Sequence, residues 1–79
     1  MDETTAFEAV RSSTLEVLPE LDPAAVTLDG SLSDLGANSI DRTEITTLAM
    51  ERLDITVPVT EFHAVRNIAS LVELLRKYG

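Results

Sequence analysis

Ser39 is the residue whose setting best suits a chemical role. It follows a short turn in the segment DLGANSID, residues 34–41, and opens a stretch with helical periodicity. Gly36 permits a tight turn and Ala37 adds little bulk, so we expect the Ser39 hydroxyl to be open to a large partner. Unpaired amides and the positive dipole end at a helix start favour an anionic group there. Ser39 could therefore hold an attached anionic group, or it could only cap the helix, as serine often does.

Catalysis by Ser39 itself is disfavoured. The surrounding residues do not read G-x-S-x-G, and a nucleophilic serine needs a histidine base held by a third group. The only histidine is His63, which has no matching partner motif. The chain has no cysteine, which excludes disulfides, thiolate catalysis and thiolate metal sites. Residues 29–34, DGSLSD, lack the alternating acids and final Glu of a calcium loop. We predict neither an enzyme nor a metal site.

Composition favours helices over a sheet. The 79 residues are 44% hydrophobic, yet only two Phe and one Tyr are aromatic, so Leu, Ile, Val and Ala must form the core. We predict an all-α, four-helix bundle with three longer helices, one short third helix and a long structured loop between helices one and two. A chain this short forms one domain, residues 1–79.

Helical spacing of apolar residues predicts helix one from Thr4 to Leu18, capped by Thr4 or Thr5. The loop that follows contains spaced leucines and valines, so we expect it to pack across the bundle, with one helical turn at residues 32–35 capped by Ser31. Helix two is predicted to begin at Asn38 or Ser39 and to continue to residue 53.

After helix two, residues 54–58 read as an extended connector that buries Ile55 and Val57. Thr60 is the predicted cap of the short third helix, which would include Phe62 and Val65. Asn67 is the predicted cap of the last helix. The inward stripe of that helix consists of Ile68, Leu71, Val72, Leu75 and Tyr78.

Ile40 falls off the inward stripe of helix two, so we predict that it is exposed. With Asp41, Glu44, Thr47 and Glu51 it would form one apolar point among acids, suited to a basic partner with a hydrophobic socket. The net charge of −8 likewise favours basic partners, because it repels nucleic acid and anionic membranes. The alternative is a solvated helix face without a partner.

No signal peptide or membrane span is recognisable. The first residues are acidic, and no stretch approaches the roughly 18 apolar residues that a membrane helix needs. We expect a soluble, monomeric protein of the cytoplasm.

Residues 34–41 resemble the phosphopantetheine attachment motif of acyl carrier proteins, D-L-G-x-D-S-L. The resemblance implies a 4′-phosphopantetheine arm on Ser39, moved from coenzyme A by a phosphopantetheinyl transferase that binds Mg²⁺. The terminal thiol of the arm would then hold an acyl group as a thioester. The implied partners are the transferase and an acyltransferase or ketosynthase, and the carrier would be their substrate.

One residue departs from the family pattern. The family has Asp before the serine, where it is implied to contact the transferase or its metal, and this chain has Asn38. An amide still accepts hydrogen bonds but lacks the negative charge. Modification of Ser39 remains the expectation, because the transferase supplies most of the metal ligands in the family mechanism.

Residues 36–42, GANSIDR, are similar to stand-alone carriers of bacterial polyketide pathways that produce antibiotics, particularly those that supply acetyl groups to HMG-synthase-like β-branching cassettes. That likeness implies an HMG-synthase-like partner. Fatty-acid elongation, a peptidyl or D-alanyl carrier, and an unmodified acidic interaction module remain alternatives. The residues expected to line an acyl-chain seam, or simply to form core, are Leu48, Ala49, Val72 and Leu75.

Overall fold

The computed structural model describes all residues, 1–79, and contains helices but no strand. The elements in chain order are α1 (Glu3–Val17), the 3₁₀ helix η1 (Pro23–Ala25), α2 (Ser39–Leu53), the 3₁₀ helix η2 (Val59–Ala64) and α3 (Ile68–Tyr78). The all-α prediction of three longer helices, a short third helix and a long loop after the first is confirmed. The short η1 within that loop was not predicted. None of the helices combines the length and apolar character needed to cross a membrane.

The start of α1 is capped differently from the prediction. Asp2, rather than Thr4 or Thr5, is the N-cap, and its carboxylate accepts a hydrogen bond of 2.8 Å from the Thr5 backbone N–H. A carboxylate both satisfies this amide and interacts favourably with the positive end of the helix dipole. The same hydrogen bond lowers the pKa of Asp2 below 3.8.

The core lies where α1 packs against α2 and α3. Four residues of α3, namely Ile68, Leu71, Val72 and Leu75, are at most 1% exposed. Tyr78, the last residue of the predicted stripe, is only half-buried. Helix α2 contributes less, because only Ile45 and Ala49 are fully buried. Most of the surface of α2 therefore faces solvent.

The long loop packs across the bundle, as predicted. Val26 and Leu32 are buried in it, and residues 32–36 form the expected hydrogen-bonded turn. The Ser31 hydroxyl accepts from the Asp34 N–H at 3.1 Å, which confirms Ser31 as the cap of that turn. Burial of these apolar side chains holds the loop against the helices. The packed loop in turn fixes the position of the residues that begin α2.

The segment between α2 and α3 follows the prediction only in part. Val57 is buried and Ile55 is half-buried, so the connector packs as expected. Thr60 is not a cap, because η2 begins at Val59 and its N-cap, Pro58, has no side chain that can accept a hydrogen bond. Val65 follows η2 rather than lying within it.

Candidate attachment and docking site

Ser39 is the first residue of α2, and Asn38 is the N-cap. The Asn38 side-chain oxygen accepts from the Asp41 N–H at 2.8 Å, and the Asp41 carboxylate accepts from the Asn38 N–H at 3.2 Å. This reciprocal pair is a capping box. The alternative in which Ser39 caps the helix is therefore wrong, because the residue before it performs that role.

The Ser39 side chain is exposed and has one polar contact within the chain. The Arg42 guanidinium donates to the Ser39 hydroxyl through Nη2 at 3.4 Å. The backbone N–H groups of Ser39 and Ile40 have no acceptor in the protein. The hydroxyl thus stands beside free amide donors at the positive end of a 15-residue helix.

The turn before the site depends on Gly36 and Ala37 for different reasons. Gly36 has a φ of 96°, a conformation that side-chain-bearing residues rarely adopt. Ala37 is only 4% exposed and belongs to the core, so its small size serves packing. Ser39 is exposed, as expected, whereas the small size of Ala37 is explained by its place in the core. Ser39 is exposed because no other segment of the chain packs over the start of α2.

Arg42 connects α2 to the loop. Its Nη1 donates to the Ser33 hydroxyl at 2.9 Å and to the Ala37 carbonyl at 3.0 Å. Sequence reasoning expected Arg42 and Arg52 to pair with acids of the same helix face, but Arg42 forms no ion pair and Arg52 pairs with Glu16 of α1. The available signal was the spacing of Arg42, three residues after Ser39, which places the two side chains on adjacent turns of one helix.

A shallow groove of about 530 Å³ runs along the outer face of α2. Ile40 is 76% exposed at its start, which confirms the prediction that this residue faces solvent. Asp41, which was also predicted for this face, does not line the groove, and its carboxylate instead accepts from the Asn38 N–H in the capping box. The groove is lined by Ser39, Ile40, Thr43, Glu44, Thr47, Leu48 and Glu51.

The residues expected at an acyl-chain seam divide between core and surface. Ala49, Val72 and Leu75 are fully buried and pack in the core. Leu48 is half-buried and lines the groove. The structure therefore places three of these residues together and separates the fourth from them. His63 is exposed on η2 and does not line the groove.

Residues 8–75 match the family described as "Phosphopantetheine attachment site". The chain belongs to this family, so it carries a phosphopantetheine arm. It is an acyl carrier protein, which holds acyl groups on that arm and is not itself an enzyme.

Named relatives agree with this assignment. The "Polyketide biosynthesis acyl-carrier-protein AcpK" of Bacillus subtilis (strain 168) is 41% identical over 75 residues, which cover 95% of this chain and 92% of the relative. The "Acyl carrier protein" of Campylobacter curvus (strain 525.92) is 34% identical over 74 residues, covering 92% of this chain and 95% of the relative. The protein of the same name from Campylobacter concisus (strain 13826) shows the same identity and coverage. No solved structure gives a significant match.

Proposed function

We propose that the Ser39 hydroxyl is the point at which 4′-phosphopantetheine is attached, within one carrier domain that comprises residues 1–79. The observation that carries the proposal is the position of an exposed hydroxyl on the first residue of α2, beside backbone amides that have no acceptor. Such amides stabilise an anion, and the attached group begins with a phosphodiester. Because Asn38 caps the helix, modification of Ser39 leaves the cap intact.

In the attachment reaction, the phosphopantetheinyl group moves from an oxygen of coenzyme A to the Ser39 Oγ. The Ser39 Oγ forms a bond to the phosphorus next to pantetheine, and the bond from that phosphorus to the bridging oxygen of coenzyme A breaks. The nucleotide half of coenzyme A leaves, and the hydroxyl proton passes to a base of the transferase. The carrier contributes an accessible nucleophile and a helix end that suits the anionic product.

The groove on α2 is the proposed docking surface for the transferase and for acyltransferases or ketosynthases. Ile40 supplies one apolar anchor, and Glu44 and Glu51 supply negative charge along the same face. We propose that Asp41 adds charge beside the groove and that Thr47 contributes contact area within it. A partner with a basic rim and an apolar socket matches this surface, and its association should weaken with salt.

We further propose that the acyl groups belong to bacterial polyketide biosynthesis, and that the acetyl donor role in β-branching is the specific task. The 41% identity to a relative named for polyketide biosynthesis supports the first part. The segment GANSIDR, residues 36–42, supports the second. An HMG-synthase-like enzyme is then the receiving partner, and the cytoplasm remains the expected compartment.

The attachment site is tested by intact mass. The protein is coexpressed with a promiscuous phosphopantetheinyl transferase, and the wild-type mass should rise by one phosphopantetheinyl group. Ser39→Ala should show no increase, whereas Ser12→Ala, which removes another exposed hydroxyl, should be modified like the wild type. An unmodified wild-type chain would refute the attachment proposal, and a modified Ser39→Ala variant would refute the site.

The docking surface is tested by charge reversal. Glu44→Lys should raise the Kd for the transferase roughly 3- to 10-fold, because loss of attraction and added repulsion together amount to about 1 kcal/mol. Glu20→Lys makes the same change at an exposed loop position outside the groove and should have little effect. Titration calorimetry at low and high salt measures both. Equal Kd values for the two variants would contradict docking at the groove.

The β-branching role is tested by offering one acetylated carrier to two enzymes. The acetyl-loaded protein is incubated separately with an HMG-synthase-like enzyme and with an elongating ketosynthase, and release of the free thiol is followed by mass spectrometry. Transfer should be faster to the HMG-synthase-like enzyme. Transfer to the ketosynthase alone would exclude the donor role and would favour generic elongation.

A further inference from the structure

Two arginines of this acidic chain have no carboxylate partner. The chain has six Lys and Arg against fourteen Asp and Glu, and ion pairs engage Arg11, Arg52 and Arg76. Arg42 and Arg66 form no such pair, although acidic side chains outnumber basic ones more than two to one. Both instead line one cavity, which suggests that the available positive charge is directed at something outside the chain.

The cavity has a volume of about 210 Å³ and lies between the loop, α2 and the start of α3. We name it the guanidinium notch. It combines two cationic side chains with hydroxyl and amide groups and an apolar floor. Its lining consists of Ser31, Leu32, Ser33, Arg42, Val65, Arg66, Asn67 and Leu71.

Arg42 connects the notch to Ser39. Its Nη1 is held by the Ser33 hydroxyl and the Ala37 carbonyl, at 2.9 and 3.0 Å. These two bonds fix the guanidinium so that Nη2 lies 3.4 Å from the Ser39 hydroxyl. A planar guanidinium presents several N–H groups in a rigid fork, which suits the oxygens of a phosphate.

The notch and the docking groove lie on opposite sides of Ser39. At about 100° per residue around the helix axis, Arg42 is displaced about 60° to one side of Ser39, and Ile40 is displaced about 100° to the other. The groove contains Glu44 and Glu51, whereas the notch contains two guanidinium groups. An anion attached to Ser39 is therefore repelled from the groove and attracted towards the notch.

Building on the attachment at Ser39, we propose that Arg42 binds the phosphodiester of the arm and that Arg66 extends this binding along the notch. The non-bridging phosphate oxygens accept hydrogen bonds from Arg42 Nη2, which already contacts the serine oxygen in the unmodified chain. The arm then leaves Ser39 on the side of the notch. The groove stays free for a partner enzyme to dock while the arm is attached.

The proposal is tested by ³¹P NMR on the modified full-length protein. Arg42→Gln should shift and narrow the phosphodiester resonance, because the oxygens lose a charged donor and the arm moves more freely. Arg42→Lys should fall between Arg42→Gln and wild type, since lysine keeps the charge but loses the fork. Arg52→Gln, which removes a positive charge from the far end of α2, should match the wild type.

Two further variants separate phosphate binding from a merely structural role of Arg42. Ser33→Ala removes one of the two bonds that hold Arg42 but keeps the bond to the Ala37 carbonyl, so its phosphodiester resonance should shift much less than that of Arg42→Gln. Arg66→Gln should shift the resonance in the same direction as Arg42→Gln, by a smaller amount. A Ser33→Ala shift equal to that of Arg42→Gln would overturn phosphate binding, and an unshifted Arg66→Gln resonance would overturn the extension to Arg66.

The proposal can also be tested on the wild-type protein alone, so that the result does not depend on whether a variant folds. The side-chain ¹⁵N resonances of Arg42 should shift between the unmodified and modified protein, and those of Arg52 should not. Unchanged Arg42 resonances in protein whose mass confirms the arm would overturn the arginine proposal while attachment stands. If the mass shows that the wild type receives no arm, or that the arm is attached elsewhere than Ser39, attachment at Ser39 fails and this proposal fails with it.

Discussion

The starts of α2 and α3 are built from the same local device but have opposite surroundings. Asn67 and Ser70 form a capping box on α3, with side-chain to backbone bonds of 2.8 and 3.0 Å, like the box formed by Asn38 and Asp41 on α2. The residue after the cap is Ile68 on α3, which is fully buried. On α2 the same position is the exposed Ser39.

The first amides of the two helices differ in the same way. On α3 the N–H of Ile68 donates to the Gly30 carbonyl at 2.9 Å, and the N–H of Ala69 donates to the Leu28 carbonyl at 3.0 Å. The long loop thus closes this helix end. On α2 no part of the chain covers the corresponding amides. A capping box therefore starts a helix in either case, and the covering segment decides whether the start is structural or available to a ligand.

The largest difference is expected at the residue after each cap. Ile68→Ala should lower the free energy of unfolding by about 2–5 kcal/mol, because it leaves a cavity in the core. Ser39→Ala should change it by less than about 0.5 kcal/mol, as exposed substitutions usually do. Urea denaturation followed by circular dichroism measures both variants.

If Ile68→Ala fails to fold, a milder substitution still allows the stability losses at Ile68 and Ser39 to be compared. Ile68→Val should cost about 0.5–1.5 kcal/mol. A Ser39→Ala variant that loses as much stability as Ile68→Val would show that the start of α2 is part of the core energetics. The contrast between the closed and open helix starts would then be wrong.

An intermediate difference is expected at the caps themselves. Asn67→Ala should destabilise the protein by about 1–2 kcal/mol and Asn38→Ala by about 0.5–1 kcal/mol, both within the range for N-cap residues. Asn67 is half-buried and its loss would also loosen the loop that covers α3, whereas Asn38 is exposed. The same denaturation measurement applies, and a larger loss at Asn38 would reverse the comparison.

The smallest effect concerns the far end of α3, which is also tied down. The Tyr78 hydroxyl donates to the Glu61 carboxylate of η2 at 2.8 Å, and this bond raises the pKa of Tyr78 above 10.0. The protonated phenol is favoured by folding, so its contribution is complete below pH 10.0 and is lost as the pH rises through the pKa of the folded state.

Ultraviolet absorbance of the single tyrosine reports that pKa directly. The titration midpoint should lie above 10.0 in the wild type and should fall towards 10.0 in Glu61→Gln, where the acceptor has no charge. Glu73→Gln removes a carboxylate elsewhere on α3 and should leave the midpoint unchanged. Equal midpoints for all three proteins would show that this end of α3 is not held by Glu61.

The sequence was sufficient to predict the helices and the exposure of Ile40. Apolar periodicity indicates the inward stripe of α3, and the displacement of Ile40 from the stripe of α2 indicates its exposure. The cap at Asn67 was also predictable, because Asn is a favoured N-cap residue and Asn67 directly precedes the apolar stripe that begins at Ile68. These features depend on local chemistry and helical spacing alone.

Other caps depended on backbone geometry that the sequence does not specify. Thr4 and Thr5 were the predicted caps of α1, but the first turn begins at Glu3, which makes Asp2 the cap. Thr60 was assigned as a cap, but η2 begins before it. The contacts of Arg42 could not be predicted for another reason. Its long side chain reaches Ser33, nine residues away, only after the loop has packed.

The limited burial of α2 has an evolutionary consequence. Ile45 and Ala49 are its only fully buried residues, so most other positions on this helix can be substituted at little cost to folding. On the proposed docking at the groove, mutations there would change which enzymes recognise the carrier while the scaffold persists. Divergence between pathways can therefore proceed one side chain at a time, without passing through unfolded intermediates.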